Sequence, residues 1–169
     1  LGHRRIGFLA GRPDLESARL RELGFRQAMS EAGVDVDPEL VRVGAYEEAT
    51  AVAPARELLA RRDRPTAVFA ANDLSAIATM DVALTLGLAV PGDLSVIGFD
   101  NIPESALTTP TLTTIDQPIQ LMGQRAVGML VELMGGGSLG STPLTLPTRL
   151  VVRGSTAPPP VDRGSGQPG

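Results

Sequence analysis

The sequence predicts a three-layer α/β/α fold built around a mainly parallel, doubly wound sheet. Short apolar runs, typical of strands buried on both faces, alternate along the chain with longer segments whose apolar residues recur at helical spacing. Strands and helices that alternate in this way form βαβ units, which produce parallel sheets with helices on both faces. The chain has 169 residues and is 43% apolar, which is enough to bury a sizeable core.

The first half of the chain contains two predicted strand–helix pairs. They are a strand at 6–10, a helix that ends near residue 33, a strand at 40–43 and a helix at 47–62. Asp14 is a candidate N-cap for the first helix, and Gly33 is well placed to end it. Pro54 lies inside the second helix and requires either a kink or a later start.

The second half continues the alternation and then changes character after Asp100, which closes the fourth strand. The predicted elements are strands at 66–71 and 94–99, helices at 74–86 and 119–133, and short strands at 144–146 and 150–152. Residues 101–114 are rich in Thr and Pro and predict an extended loop. Glycines at 135–137 are expected to end the last helix. The carboxyl end is rich in Pro, Gly and Ser and predicts disorder.

Several chemistries are excluded by residue types that the sequence lacks. The chain contains no Cys, Trp or Lys, and His3 is its single histidine. Thiol nucleophiles, disulfides, lysine Schiff bases and cysteine zinc sites are therefore excluded, and any metal would have to be a hard cation held by carboxylates. We expect a binding function rather than an enzyme, with no cofactor and no metal.

Charge and hydropathy exclude two further classes of partner. The formal net charge of −4 argues against a chain that binds nucleic acid by itself, since such chains carry a basic face. No apolar run approaches the roughly 20 residues of a membrane span, and the amino end shows no export signal. We therefore expect a cytoplasmic protein without membrane contact.

Polar residues follow the carboxyl ends of four predicted strands, at Gly11–Ser17, Tyr46, Asn72–Asp73 and Asp100–Asn101. In open α/β sheets, the loops at this edge surround the crevice where ligands bind. Asp and Asn accept hydrogen bonds from hydroxyl groups, and Arg supplies a planar fork of donors. These positions therefore suit a small, hydroxyl-rich ligand. The alternative is that Asp14 and Asp73 only cap helices.

Several short motifs occur in order along residues 3–155. They are Ala10-Gly11 with Ser17–Phe25, Ala70–Asp73, Val90–Asp100, Thr113–Gln117 and Leu121–Gln124. Together they resemble the effector domain of lactose-repressor (LacI/GalR) type transcriptional regulators. The resemblance implies a two-lobed fold of the periplasmic-binding-protein-like type I, of which this chain is the carboxyl-terminal part.

The resemblance also implies a division of the chain into three parts. Residues 1–117 correspond to the carboxyl-terminal lobe, incomplete at its amino end, and residues 118–155 to a crossover helix and returning strands. Residues 156–169 are expected to form a disordered tail. The helix-turn-helix of such regulators has no counterpart here, so we expect DNA contact only through an amino-terminal domain outside this sequence.

The same resemblance assigns ligand contacts position by position. Arg21 corresponds to the arginine that grips the effector, Ser17 to a nearby polar contact, and Tyr46 to an aromatic that packs on the ligand. Candidate contacts are thus Arg21, Asp100, Asn72, Asp73, Ser17, Tyr46 and Gln117. For two of these residues an alternative without a ligand stays open. Arg21 could simply belong to a solvated helix face, and Gln117 could belong to a hinge. The implied ligand is a sugar or a sugar derivative.

The helix at 74–86 is apolar around most of its circumference and must bury more than one face. The resemblance places a dimer interface here, formed by Leu74, Ile77, Met80 and Leu84. The alternative is a crossover helix that is buried within the chain.

The preferred function is therefore the effector-binding and dimerisation part of a LacI-type regulator. A periplasmic solute-binding protein of the same fold is the main alternative. A doubly wound enzyme is disfavoured, since the sequence leaves mainly carboxylates for catalysis.

Overall fold

The computed structural model describes residues 1–140 and 143–160 and shows a single mixed sheet with helices on both faces. The strands are β1 (Ile6–Ala10), β2 (Val41–Val43), β3 (Ala67–Ala70), β4 (Ser95–Asp100), β5 (Thr113–Asp116) and β6 (Arg149–Val151). The helices are α1 (Glu16–Glu31), α2 (Glu48–Leu59), α3 (Asp73–Thr85) and α4 (Ile119–Met134). Short 3-10 turns occur at Pro38–Leu40 and Pro103–Ala106.

The strand order is β2-β1-β3-β4-β5-β6, with parallel pairing from β2 to β5 and an antiparallel β6 at the edge. The order reverses between β1 and β3, so the loops that leave these two strands run in opposite directions. Such a switch point opens a crevice at the carboxyl ends of the strands. The predicted doubly wound, mainly parallel sheet is confirmed.

Alternating side chains of β1 enter two separate cores, one on each face of the sheet. Leu9 joins a large aliphatic core with α2 and α3, while Phe8 and Ala10 join a smaller core beneath α1. The smaller core holds Phe8, Phe25 and Phe69, whose ring centroids lie 4.8 to 6.3 Å apart. These two cores anchor the strands whose ends form the candidate site.

Gly33 ends α1 as the sequence predicts. It adopts φ +61° directly after the C-cap, and the amides of Gly33 and Val34 donate to Ser30 and Met29 carbonyls. This is the Schellman arrangement, which satisfies the last carbonyls of a helix. The prediction for the other end of α1 is wrong, because Leu15 occupies the N-cap position and Asp14 instead pairs with Arg12 at 2.7 Å.

Three other local predictions need correction. Residues 144–146 form no strand, since they have no backbone partner at the sheet edge, and only Arg149–Val151 pairs with β5. The expected loop at 101–114 includes a 3-10 turn and the start of β5. The helix with Pro54 begins at Glu48 and continues through the proline to Leu59.

The carboxyl-terminal segment is ordered further than its composition predicts. The backbone amide of Ala157 donates to Ser95 Oγ at 3.0 Å, and its carbonyl accepts from the same hydroxyl and contacts His3. Ser155 is buried against β4 and β5. Disorder therefore does not begin at residue 156, and residues 161–169 of the expected tail lie outside the described residues.

The amphipathic helix predicted near 119–133 is present as α4, but none of its residues is buried. Its apolar side chains include Ile119, Met122, Val127 and Leu130, all of them exposed. In the part of the chain that the structure describes, no helix is long and apolar enough to cross a membrane.

Replacing Gly98 by Ala tests how tightly β4 packs on α3. A Cβ at Gly98 would overlap the Asp73 carboxylate and crowd Ala76 at 3.2 Å. We expect a loss of about 1–3 kcal/mol in the free energy of unfolding, because overpacking forces the backbone apart. Urea denaturation measures it.

The matched control is Gly24→Ala, at a helical position of α1 with no neighbouring atom within 4 Å of the added Cβ. Alanine there should stabilise the protein by about 0.5–1 kcal/mol, because it restricts the unfolded chain and favours the helix. Equal effects of the two substitutions would contradict the packing assigned to Gly98.

Candidate functional site

Arg21 and Asp100 form the centre of the site at the carboxyl edge of the sheet. Arg21 lies one turn into α1, and its guanidinium donates to the Ala71 carbonyl at 2.7 Å and to Asp100 Oδ1 at 3.3 Å. The two side chains are only 16% and 20% exposed. Partial burial reduces screening by water and so strengthens the attraction between the two charges, but it also removes part of their hydration.

Two aromatic rings lie against the Arg21 guanidinium. Its Cζ is 4.0 Å from the centroid of Phe99 and 5.4 Å from that of Tyr46. A guanidinium attracts the face of an aromatic ring, so these contacts stabilise the plane in which Arg21 presents its donors. Phe99 immediately precedes Asp100 in β4, which brings the ring and the carboxylate to the same guanidinium.

Gln117, the first residue after β5, also points at Asp100. Its Nε2 donates to Asp100 Oδ1, the oxygen that accepts from Arg21. Among the described residues, no side chain or backbone group donates to Asp100 Oδ2. One carboxylate oxygen is thus held by two donors, while the other remains able to accept from a ligand hydroxyl.

Asn72 and Tyr46 form a second group beside this centre. Asn72 caps α3, since its Oδ1 accepts from the Ser75 amide at 3.0 Å, and its Nδ2 donates to the Tyr46 carbonyl at 2.9 Å. Both halves of the Asn72 amide are engaged, so this side chain positions Tyr46. The Tyr46 ring covers Gly11, where any Cβ would overlap it. Within the described residues, the buried Tyr46 hydroxyl has no hydrogen-bond partner.

Asp73 lies beneath the site and is 0% exposed. Its carboxylate accepts from the Thr114 hydroxyl at 2.5 Å and from the Ile102 amide at 2.9 Å. Burial raises its pKa above the ordinary value, and the hydrogen bonds from Thr114 and Ile102 oppose this shift. Asp73 therefore supports the site from below, and this placement gives it no surface for a ligand.

Burial also raises the pKa of the Asp100 carboxyl, with the neighbouring charge of Asp73 adding to the effect. The positive charge of Arg21 opposes the shift, as does the hydrogen bond from Gln117. Burial thus outweighs the stabilisation that Arg21 and Gln117 give to the ionised form of Asp100.

An open concavity of about 630 Å³ adjoins Asp100. The polar side chains around it include Asn101, Gln117, Gln120 and Gln124, the last two from the first turns of α4. Small-molecule sites have volumes of about 300–1,000 Å³, so this concavity is large enough for a ligand the size of a sugar. The concavity offers amide donors and acceptors next to the Asp100 carboxylate.

The structure brings five of the seven candidate residues together: Arg21, Asp100, Gln117, Tyr46 and Asn72. Ser17 is exposed in the first turn of α1, and Asp73 is enclosed below. Sequence reasoning missed Phe99 as a partner of Arg21. The available signal was its position directly before Asp100 in an apolar strand.

The apolar circumference of α3 is covered largely from within the chain. One side packs on the sheet and the other on α2, so Met80 is only 6% exposed and belongs to the core. Leu74 and Ile77 are half-buried, whereas Leu84 is 75% exposed. The buried-helix alternative therefore explains most of the apolar residues, and Leu84 is the most exposed of the four predicted interface residues.

The arginine–carboxylate pair lies at the switch point, where doubly wound sheets bind their ligands. The chain belongs to the family of periplasmic binding protein-like domains, whose model matches residues 1–156. The match covers every residue of the site.

Regulators of the LacI type contain similar sequences. The chain is 37% identical over 155 residues to the HTH-type transcriptional repressor CytR of Escherichia coli K12, covering 92% of this chain and 46% of the repressor. It thus spans about half the length of such curated relatives. Their regulator names agree with the expectation that the chain is not an enzyme.

Solved structures give the same result. The complex of the transcriptional regulator CelR with cellobiose matches with a TM-score of 0.87 at 38% identity, over 91% of this chain and 47% of that one. A lac repressor dimer bound to operator and the anti-inducer ONPF matches with a TM-score of 0.84 at 35% identity, over 92% of this chain and 54% of that one. The predicted membership of the LacI-type regulators is confirmed.

Replacing Asp73 by Asn should change how stability depends on pH. In the unfolded chain Asp73 ionises near its ordinary pKa of 3.8, whereas the folded protein retains this proton to higher pH. Between the two pKa values the folded state binds more protons, so the free energy of unfolding falls as pH rises. The free energy of unfolding of the wild type minus that of Asp73→Asn should therefore decline as pH rises through this window. Urea unfolding at a series of pH values measures it.

Asp14→Asn is the control with the opposite sign, because its hydrogen bond to Arg12 lowers the pKa of Asp14. Its contribution to stability is present above pH 3.8 and is lost as pH falls through the lower, folded-state pKa. If the difference in unfolding free energy between the wild type and Asp73→Asn does not vary with pH, burial does not shift the pKa of Asp73 as assigned.

Proposed function

We propose that the chain is the carboxyl-terminal part of a regulator's effector-binding domain, and that it binds a sugar or sugar derivative at the Arg21–Asp100 edge. The observation that carries the proposal is the Asp100 carboxylate, one oxygen of which is held by Arg21 and Gln117 while the other is open. A carboxylate fixed in this way is ready to accept from a hydroxyl without reorganising.

The neighbouring groups supply the other contacts that a sugar requires. Arg21 uses two of its five N–H donors on Ala71 and Asp100, which leaves donors for ligand oxygens. The Tyr46 ring lies against the Arg21 guanidinium, and the Gln120 and Gln124 amides border the concavity. The binding of cellobiose by the similar regulator CelR supports a sugar as the ligand class.

We propose an allosteric mechanism in the cytoplasm. Residues 1–117 would form one lobe, and residues 118–155 would connect it to a second lobe beyond this chain. A ligand bound between the lobes stabilises one arrangement, and the coupling to DNA cannot exceed its difference in affinity for the two arrangements. The DNA contact itself would belong to a part of the regulator outside these residues, as in repressors of the HTH type.

The ligand assignment is tested by titrating the protein with cellobiose and a panel of mono- and disaccharides, using calorimetry. Arg21→Ala and Asp100→Ala should each weaken the sugar that binds by about 10- to 100-fold, because each removes a charged hydrogen bond worth roughly 1.5–3 kcal/mol. Arg19→Ala is the matched control, since Arg19 lies on the same helix but pairs with Glu16 at the exposed surface. Unchanged affinity in both site variants would disprove the site.

We also propose that the chain self-associates through the exposed end of α3. A groove of about 410 Å³ lies there, lined by Ile77, Met80 and Leu84 of α3 and by loop residues that include Leu88, Val90 and Pro110. The similar lac repressor was solved as a dimer, which supports association of this family of domains. Met80 belongs to the core, so a charge at Met80 would test folding rather than the interface.

Leu84→Arg should reduce the mass measured by sedimentation from dimer to monomer while leaving the circular dichroism spectrum intact. A buried arginine without a partner at an interface opposes association, and an exposed one in the monomer costs little. The control is Leu20→Arg on α1, where a leucine is also exposed. A dimer that survives Leu84→Arg would place the interface elsewhere.

A further inference from the structure

The turn that presents Asp100 has an unusual backbone. Asp100 and Asn101 are both left-handed, with φ values of +116° and +59°. Asn adopts a φ near +59° more readily than most residues with a Cβ, whereas a φ of +116° is sparsely populated for Asp and requires support from the surrounding structure. The direction of the Asp100 carboxylate therefore depends on whatever holds this turn.

Asn101 is held from two sides by residues of other elements. Its Nδ2 donates to Asp116 Oδ1 at 2.9 Å, and its Oδ1 accepts from Arg153 Nη2 at 2.7 Å. Arg153 comes two residues after β6, and its backbone amide donates to Thr113 Oγ1 at 2.9 Å. The returning end of the chain thus reaches the turn after β4.

The guanidinium of Arg153 binds three separate parts of the chain at once. Besides Asn101, its Nη1 donates to Ser105 Oγ at 3.0 Å and to the Leu112 carbonyl at 2.7 Å. These acceptors belong to the turn, the 3-10 segment and the residue before β5. Only a planar fork with several donors can satisfy them together, and a lysine ammonium would lose this geometry.

We propose that Arg153 is a positioning residue of the ligand site, which holds Asn101 left-handed and thereby aims the Asp100 carboxylate at Arg21. Arg153 has no bond to Asp100 and acts through the turn. The inference rests on the proposed ligand site at Arg21 and Asp100. Its test uses no ligand, so failure of the positioning role and failure of the sugar assignment are distinguishable.

The test is a double-mutant cycle in which the measured quantity is the pKa of Asp100. This pKa is obtained by titrating the carbon NMR signal of the Asp100 carboxyl group. Asp100 faces Arg21 of α1, Asp73 of α3 and the Gln117 amide. Because Arg21 lowers the pKa of Asp100, Arg21→Met should raise it in the otherwise wild-type protein. In the Arg153→Met background, the same change at Arg21 should raise it by less than half as much.

Arg42→Met is the matched control. Arg42 lies on β2 and pairs with Glu57 at 2.9 Å, so its replacement removes the same charge without touching Asn101 or its partner Asp116. The full effect of Arg21→Met on the pKa of Asp100 should persist in that background. The cycle compares only the change in the Asp100 pKa that Arg21→Met causes in each background. The direct effect of removing the second arginine's charge therefore cancels.

Asn101→Ala provides a second route if Arg153→Met does not fold. It removes the link at the turn but leaves the Arg153 bonds to Ser105 and Leu112 in place. Asn101→Ala should also reduce by more than half the change that Arg21→Met causes in the pKa of Asp100. An undiminished effect of Arg21→Met in the Arg153→Met or Asn101→Ala background would overturn the inference.

Discussion

The buried carboxylate of Asp73 is the interaction on which the site depends. It joins the first residue of α3 to the turn after β4 and to β5, through the Ile102 amide and the Thr114 hydroxyl. It fits only because Gly98 has no side chain. A buried charge without such partners would be strongly destabilising, so these bonds require the three elements to meet in one arrangement. The carboxyl edge of the sheet is thereby held as a unit.

Arginine performs every cationic role in a chain without lysine. At the site this matters because Arg21 and Arg153 each bind several acceptors in different directions. Arg21 joins α1 to the ends of β3 and β4, and Arg153 joins the returning chain to the turn after β4. A guanidinium keeps its charge and its planar geometry when partly buried, which an ammonium does not. The site is therefore built from fixed donors rather than from mobile ones.

Both chain segments that flank α4 touch the same turn. Gln117, just before α4, donates to Asp100, and Arg149 and Arg153 beyond it bind Asp116 and Asn101. A ligand that binds Asp100 must therefore compete with, or adjust, groups on the segments leading into and out of α4. This arrangement links a contact at Asp100 to the segments that carry α4, as the proposed population shift requires.

The alternation of apolar runs and helical periodicity determined the parallel sheet, and the strand-end rule pointed to Asp100 and Tyr46. Local patterns suffice for these because strand burial and helix ends depend on neighbouring residues. Arg21 and Gln117 came from the family resemblance instead. Other features are visible only in three dimensions: Asp14 does not cap α1, Met80 lies in the core and Asp73 is enclosed. The contacts of Phe99 with Arg21 and of Arg153 with Asn101 belong to the same group. Each depends on contacts between residues far apart in sequence: Met80 is covered by α2, and Arg153 meets Asn101 only because β6 returns to the sheet. The spacing of residues along the sequence does not indicate which distant side chains will be in contact after folding.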